Sequence, residues 1–148
     1  MQNDGLDSQK QFFTFMKNCM DRDPSFTVGE FTDSRKARNF VAPNPSDYFA
    51  CYRETPWLVE IKSSVDLQRF PFRKNVKGTQ FGLGRRYILS GWKYMFVIHH
   101  VVWDRWFFVP FQVFYDLYEK GESSVTWDFL IKNFEKPFAY KFWSVYNG

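Results

Sequence analysis

The segment Ser46–Ser64, SDYFACYRETPWLVEIKSS, decides the fold of this 148-residue chain. Residues 47–52 and 57–63 are rich in aromatic and β-branched side chains, which is typical of strands. The RETP between them contains Pro56, which indicates a turn. We therefore expect a β-hairpin whose turn runs through Glu54 and Thr55.

Alternation of side chains along the second strand separates two faces. Val59 and Ile61 point to an apolar face that should belong to the core, whereas Glu60 and Lys62 share the opposite face. With the turn at Glu54 and Thr55, Phe49 lies opposite Glu60 and Asp47 lies opposite Lys62. Asp47 then shares the face of Glu60 and Lys62.

Asp47 and Glu60 are diagonal neighbours in this register, at most about 7–8 Å apart, so one cation could bridge them. Two carboxylates and a backbone carbonyl form a hard, oxygen-rich donor set that suits Mg²⁺ or Mn²⁺. Such an ion polarises a phosphoryl oxygen and lowers the pKa of a bound water. A neighbouring lysine can orient that water or stabilise charge on the phosphate. The alternative is an ordinary surface Glu–Lys pair on a half-exposed strand.

The rest of the chain alternates between helical and extended patterns. Strands are predicted over 26–32, 93–102 and 105–110, and helices over 8–21, 78–90, 111–120 and 126–133. Residues 33–46 are basic and then proline-rich, which predicts a loop or protruding arm, and residues 64–76 should be irregular. This order predicts a single α/β domain over 1–148 with a mixed central sheet flanked by helices.

Composition excludes several classes of protein. Aromatic residues make up 22% of the chain, including 19 Phe, so rings must build much of the core. No apolar stretch approaches 18 residues and the N-terminus lacks an apolar secretion segment, so we expect neither a membrane span nor a signal peptide. Cys19 and Cys51 have no CxxC spacing, which fits a reducing cytoplasm rather than a disulfide or zinc framework.

Charge is distributed unevenly along the chain. The net charge is +4, but residues 34–93 hold 12 Lys or Arg and four Asp or Glu, a local charge of +8. This block surrounds Asp47, Glu60 and Lys62 and indicates a polyanionic partner such as nucleic acid, although a solvated charged face is the simpler alternative. The candidate phosphate contacts are Arg35, Lys36, Arg38, Arg69, Arg73, Lys74, Lys77, Arg85 and Arg86.

Asp47 followed by Glu60-Ile61-Lys62 resembles the PD-(D/E)xK nuclease motif. The segment RFPFRKNVKGTQ, residues 69–80, resembles a stretch of RecU-type Holliday junction resolvases, in which a basic loop containing Phe-Pro leads to a Gln at the start of a helix. The order of the following strands and helix is also similar, so the resemblance covers roughly residues 40–132.

The resemblance implies a restriction-endonuclease-like fold and a Mg²⁺- or Mn²⁺-dependent endodeoxyribonuclease acting on branched DNA. Asp47 and Glu60 would bind the metal with the Ile61 carbonyl, Lys62 would be the catalytic lysine, and Gln80 would assist near the water or phosphate. It also implies a homodimer, because two strands must be cut together. A small phage-encoded resolvase, acting in the host cytoplasm, would fit the compact size.

The chain departs from the family pattern at three places. Ser46 replaces the usual Pro before Asp47, the first helix offers Gln9 and Gln11 where many relatives place an acid, and the stalk-like segment 33–46 is short. Junction specificity is therefore less supported than nuclease activity. The alternatives are a nuclease acting on linear duplex or single-stranded ends, and a non-catalytic DNA-binding module of the same fold.

Three further features have both a structural and a functional interpretation. Phe70 and Phe72 could stack on DNA bases, or anchor the loop in the core. His99 and His100 alternate to opposite faces of a strand, so they cannot chelate a metal together. The Gly82-Leu83-Gly84 segment lacks a phosphate-loop pattern and is better explained by close packing of its helix.

Overall fold

The computed structural model describes residues 5–31 and 44–145. Helices and strands alternate along the chain in an order close to the expected one. The helices are α1 (Gly5–Arg22), α2 (Phe72–Asn75), α3 (Gly78–Leu89), α4 (Phe111–Glu119), α5 (Trp127–Phe134) and α6 (Phe142–Val145). The strands are β1 (Phe26–Glu30), β2 (Tyr48–Tyr52), β3 (Thr55–Ser64), β4 (Arg69–Phe70), β5 (Lys93–His100), β6 (Arg105–Pro110), β7 (Val125–Thr126) and β8 (Glu135–Lys136).

A six-stranded mixed sheet forms the centre of the fold. Its strand order is β1-β2-β3-β5-β6-β8. β3 and β5 run parallel, with α3 in the crossover between them, and their neighbours pair antiparallel. β4 and β7 form a separate two-stranded sheet. The expected α/β class with a mixed sheet flanked by helices is confirmed.

The β2–β3 hairpin differs from the expected register by two residues. Arg53 and Glu54 both have positive φ, 47° and 74°, and Tyr52 pairs with Thr55. The turn is therefore a tight two-residue turn of the type that suits the twist of a hairpin, and Pro56 lies inside β3 rather than in the turn.

This register changes the residues that face Asp47 and Phe49. Tyr48 pairs with Val59 and Phe49 with Leu58, so Asp47 lies opposite Glu60 rather than Lys62. A shift of two residues keeps every side chain on its original face, because side chains alternate with a period of two. The two carboxylates therefore share one face, as expected, although the expected register was wrong.

Apolar cores cover both faces of the sheet. On one face, Val59 and Ile61 pack with Phe12 and Met16 of α1 and with Phe142 of α6. The aromatic C-terminal segment, whose role the sequence left open, thus contributes to the core. On the other face the core is built by residues of β3, β5 and the helices α2–α5, among them Leu58, Phe81, Phe96, Phe111 and Phe114.

The segment 64–76 is more ordered than expected. It forms β4 and α2, and Phe70 and Phe72 are completely buried. The Phe72 ring stacks on Phe114 with the centroids 5.1 Å apart, and Phe70 contacts the same ring at 5.7 Å. Both rings are therefore core anchors, and the alternative in which they stack on DNA bases is wrong.

Within the described ranges, no helix combines the length and apolarity needed to cross a membrane. Most of the expected basic arm, residues 33–43, lies outside the described residues, and Arg35, Lys36 and Arg38 lie outside them as well.

Candidate active site

Two hydrogen bonds join Asp47 to neighbouring residues of β3, Glu60 and Ile61. The Asp47 backbone N–H donates to Glu60 Oε1 at 2.9 Å, and the Ile61 N–H donates to Asp47 Oδ2, also at 2.9 Å. Asp47 lies immediately before β2, at the position opposite Glu60 of β3. The two side chains are thus held close together where β2 begins.

Lys62 extends this pair along the same strand. Its Nζ lies 3.0 Å from Glu60 Oε2, and the Glu60 side chain is only 7% exposed. Lys62 keeps 22% of its side chain exposed. The ammonium therefore compensates part of the charge of a buried carboxylate while remaining accessible from solvent.

Two neighbouring carboxylates with little access to water repel one another. Burial, and then the charge of Glu60, raises the pKa of Asp47 from its ordinary 3.8 to about 7, while the Ile61 N–H and Lys62 act in the opposite direction. A carboxyl group poised near neutral pH, beside a specific charge partner and at the edge of a cleft, marks a functional-site candidate.

A chain of hydrogen bonds connects α3, β5 and the segment before β2 beside the carboxylate pair. Gln80 Nε2 donates to Tyr94 Oη at 3.2 Å, and Tyr94 Oη donates to the Pro45 carbonyl at 2.6 Å. Burial and the charge of Glu60 raise the pKa of Tyr94, so its hydroxyl stays protonated and can donate. Sequence reasoning found Gln80 but missed Tyr94 and Pro45. Their only signal was the alternation that puts Tyr94 on the Glu60 face of the sheet.

A cavity of about 610 Å³ opens beside the two carboxylates. Its wall brings together residues of α1, β1, β3 and α3 with the segment before β2. The lining includes Gln9, Glu30, Asn44, Asp47, Tyr48, Glu60, Lys77, Thr79 and Gln80. Three of the four expected catalytic residues, Asp47, Glu60 and Gln80, thus line one space, and Lys62 pairs directly with Glu60.

Among residues 5–31 and 44–145, no three His, Cys, Asp or Glu side chains come close enough together to hold a metal ion. Glu30 was not singled out from the sequence, yet it lines the cavity at the end of β1. Gln9, one of the two glutamines that the sequence offered on the first helix, also lines it. The acidic side chains that line the cavity are therefore Glu30, Asp47 and Glu60.

The structure separates the candidate phosphate contacts into different groups. Lys77 lines the cavity, at the residue that caps α3. Lys74 and Arg86 are exposed away from the cavity lining, and Arg85 lies over the Tyr115 ring at 5.1 Å.

Arg69 and Arg73 make hydrogen bonds to residues between the end of α4 and β7. Arg69 Nε donates to Ser124 Oγ at 2.6 Å, while Arg73 donates to the carbonyls of Glu122 at 3.0 Å and Tyr118 at 2.7 Å. These two guanidinium groups join the β4–α2 segment to the α4–β7 loop.

His99 and His100 lie on opposite faces, as expected. His99 Nδ1 lies 2.8 Å from Ser8 Oγ, and His99 Nε2 lies 2.9 Å from Asp104 Oδ1. His100 Nε2 donates to the Asp66 carbonyl at 2.9 Å. Both histidines are therefore structural, and neither approaches the carboxylate pair.

Comparison with known proteins agrees with this architecture at the level of the fold. No protein-family model matches the chain, and no curated protein matches its sequence. Among solved structures, it is similar to Archaeoglobus fulgidus Hjc, described as a Holliday junction resolvase from an archaeal hyperthermophile. The TM-score is 0.50 at 15% sequence identity, and the match covers 73% of this chain and 78% of Hjc. The chain therefore has a restriction-endonuclease-like fold, the fold of the Hjc resolvase.

Proposed function

We propose that this protein is a metal-dependent endodeoxyribonuclease that hydrolyses phosphodiester bonds in branched DNA such as Holliday junctions. The observation that carries the proposal is the carboxylate pair Asp47–Glu60, held against Lys62 at the edge of an open cavity. The fold shared with Hjc supports the choice of a nuclease, and the name of Hjc suggests the branched substrate.

The donor set fits a hard divalent cation. Asp47 and Glu60 offer carboxylate oxygens, and a cation between them would relieve the repulsion that raises the pKa of Asp47. The Ile61 N–H points to Asp47, and a strand residue directs its N–H and its carbonyl to the same neighbour. The Ile61 carbonyl would therefore be the third protein ligand for Mg²⁺ or Mn²⁺.

When bound, such an ion polarises a phosphoryl oxygen and lowers the pKa of a water. The chain's own residues position the reactants. Lys62 supplies a fixed positive charge 3.0 Å from Glu60, where it can orient the attacking water or stabilise the developing phosphate charge. Lys77, on the cavity wall, would bind a phosphate of the cleaved strand, and Tyr94 would hold the Gln80 amide at the same wall.

The active form would be a homodimer, since cleavage of a four-way junction requires paired cuts in two strands. It would act in the cytoplasm, or in the host cytoplasm if a phage encodes it. Cys19 and Cys51 are free thiols, as a reducing compartment requires.

The test compares cleavage of a four-way junction and of a linear duplex built from the same sequences, in Mg²⁺, Mn²⁺ or EDTA. The wild type should cut the junction only with a divalent cation. Asp47→Asn and Lys62→Ala should lose about 100-fold or more in cleavage rate, the loss typical for one transition-state stabiliser, while they still bind the junction. Lys132→Ala, on the exposed side of α5, is the control and should cut like the wild type.

Two results would select the alternatives. A wild type that cuts the linear duplex as fast as the junction is a nuclease of ordinary DNA. A wild type that binds DNA but cuts nothing in either metal is a binding module, and the catalytic proposal is then wrong.

A further inference from the structure

An apolar tip projects from one end of the central sheet. It consists of Val65 and Leu67, in the loop after β3, and Val102 and Trp103, in the loop after β5. Their exposed fractions are 60%, 63%, 62% and 39%. Patches of exposed apolar side chains on adjacent loops are a usual mark of an interaction site.

The tip is held rigidly from below by His100. His100 Nε2 donates to the Asp66 carbonyl in the first loop, and His100 Nδ1 accepts the Trp103 backbone N–H in the second at 3.2 Å. The Trp103 ring stacks on the His100 ring with centroids 3.7 Å apart and planes 6° apart. Trp127 Nε1 also donates to the Asp66 carbonyl, at 2.7 Å. The exposed ring is therefore fixed before any partner binds, which lowers the entropy cost of binding.

The tip lies beyond the end of β3, the strand that carries Glu60. Ser64 is in register with His100, four strand residues beyond Glu60, and the Val101 N–H donates to the Ser64 carbonyl. Four residues of an extended strand span about 13 Å, which equals about four base steps of B-form DNA at 3.4 Å each. A DNA strand bound beside Glu60 could therefore reach the end of β3, where the tip begins, a few base steps away.

The charge of the tip argues against a phosphate-binding surface. Residues 64–68 and 101–104 contain Asp66 and Asp104 and no Lys or Arg. Acidic, apolar loops disfavour the side of an intact duplex, which presents phosphates. They suit the flat, uncharged face of a base that has lost its stacking neighbour, because aromatic and aliphatic side chains pack on such faces.

We propose that the apolar tip binds an unstacked base, or the terminal base pair, at the branch point of a DNA substrate, with Trp103 as the stacking ring. This rests on the proposed nuclease function and gives it a basis for choosing branched over continuous duplex DNA. Trp103 thereby takes the base-stacking role that Phe70 and Phe72, being buried, cannot fill.

The experiment measures binding by fluorescence anisotropy in EDTA, where metal-dependent cleavage does not occur. The probes are a labelled four-way junction and a fully paired linear duplex of the same sequences. Trp103→Ala should weaken junction binding about tenfold or more, the loss expected for one stacked base, and change duplex binding less than twofold. Trp103→Phe should restore most of the loss. Leu89→Ala, at a residue 72% exposed on the far end of α3, is the matched control and should change neither.

Equal junction binding by Trp103→Ala and wild type would overturn the inference, as would an equal loss on both probes. Sedimentation of the free proteins separates a further outcome: if Trp103→Ala turns a dimer into a monomer, the tip is an interface between copies of this chain and the inference is wrong. Metal-dependent cleavage by the wild type in a parallel assay shows whether the nuclease function stands when the tip assignment fails.

Discussion

Tyr94 and Pro45 are joined by a 2.6 Å hydrogen bond, although 49 residues separate them in the chain. The Tyr94 hydroxyl donates to the carbonyl of a residue that lies two positions before Asp47. The same hydroxyl accepts the Gln80 amide. One buried phenol thus connects β5, α3 and the segment that carries the first carboxylate.

Removing this hydroxyl should affect both stability and cleavage. Tyr94→Phe leaves the Pro45 carbonyl without its donor in a buried position, which should lower the free energy of unfolding by about 1–3 kcal/mol. Because Asp47 and Gln80 lose their support, the cleavage rate should fall more than the affinity for DNA. Urea denaturation and single-turnover kinetics measure the two effects. Gln80→Ala keeps the Tyr94–Pro45 bond, so it should slow cleavage with little loss of stability. A Tyr94→Phe enzyme of normal rate would show that the bridge does not position the site.

A divalent cation should stabilise the wild type through the carboxylate pair. At a Mg²⁺ or Mn²⁺ concentration ten times the Kd, ligand linkage raises the melting temperature by about 3–5 °C for a domain of this size. Asp47→Asn should lose most of this increase, because one anionic ligand is gone. Asp128→Asn, an exposed acid on α5, is the control and should keep it. An unchanged cation response in Asp47→Asn would place the metal elsewhere.

Stability without metal should depend on pH through Asp47. Its pKa is raised from 3.8 to about 7 in the folded chain, so between these values the native state holds a proton that the unfolded state has released. The contribution of this carboxyl to stability therefore falls as pH rises from about 4 to about 7. Asp47→Asn should match the wild type near pH 4 and be more stable than it at pH 8. Denaturation midpoints at several pH values measure the difference, and a pH-independent difference would contradict the assignment.

Lys77 should contribute a phosphate contact that Lys132 does not. Lys77→Gln should weaken DNA binding and reduce the slope of log K against log salt concentration by about 1, the change expected when one phosphate contact is lost. Lys132→Gln, which removes an exposed charge on α5, should leave the slope unchanged. Equal slopes for Lys77→Gln and the wild type would remove Lys77 from the DNA-binding surface.

Two glycines of α3 should respond in opposite ways to alanine. A Cβ at Gly84 would lie 2.5 Å from a Phe111 ring carbon and 2.8 Å from a Tyr94 ring carbon, whereas a Cβ at Gly82 meets nothing within 4 Å. Gly84→Ala should therefore cost about 1–3 kcal/mol through overpacking. Gly82→Ala should add about 0.5–1 kcal/mol, because alanine favours a helix interior. Thermal denaturation of both variants checks the pair, and similar shifts would refute the packing role of Gly84.

The central strands and the carboxylate pair were predictable because they depend on local alternation. Glu60 and Lys62 share a face in any strand over 57–63. Asp47 lies on that face in the observed hairpin register and in every register that differs from it by an even number of residues. The register itself was not predictable, because Arg53 and Glu54 are not the Asn and Gly residues that usually mark a two-residue turn. Only the folded chain shows that both adopt positive φ.

Other features depend on contacts that a linear sequence does not encode. Phe70 and Phe72 stand among basic residues, which suggested an exposed loop, yet Phe114 of a distant helix buries both rings. Arg69 and Arg73 remain predicted phosphate contacts, and the sequence did not indicate their hydrogen-bond partners Ser124, Glu122 and Tyr118. The sequence did not distinguish Trp103 from the many other aromatic residues, because its stacking on the His100 ring depends on the fold.

The two-residue turn at Arg53 and Glu54 also limits how this protein can change during evolution. A single inserted or deleted residue there would reverse the face of every β2 side chain relative to β3. Asp47 would then leave Glu60, although it lies six residues from the turn and neither carboxylate had been substituted. We therefore expect functional homologues to favour Gly, Asn or Asp at 53 and 54, where φ is positive, and to keep the length of this connection.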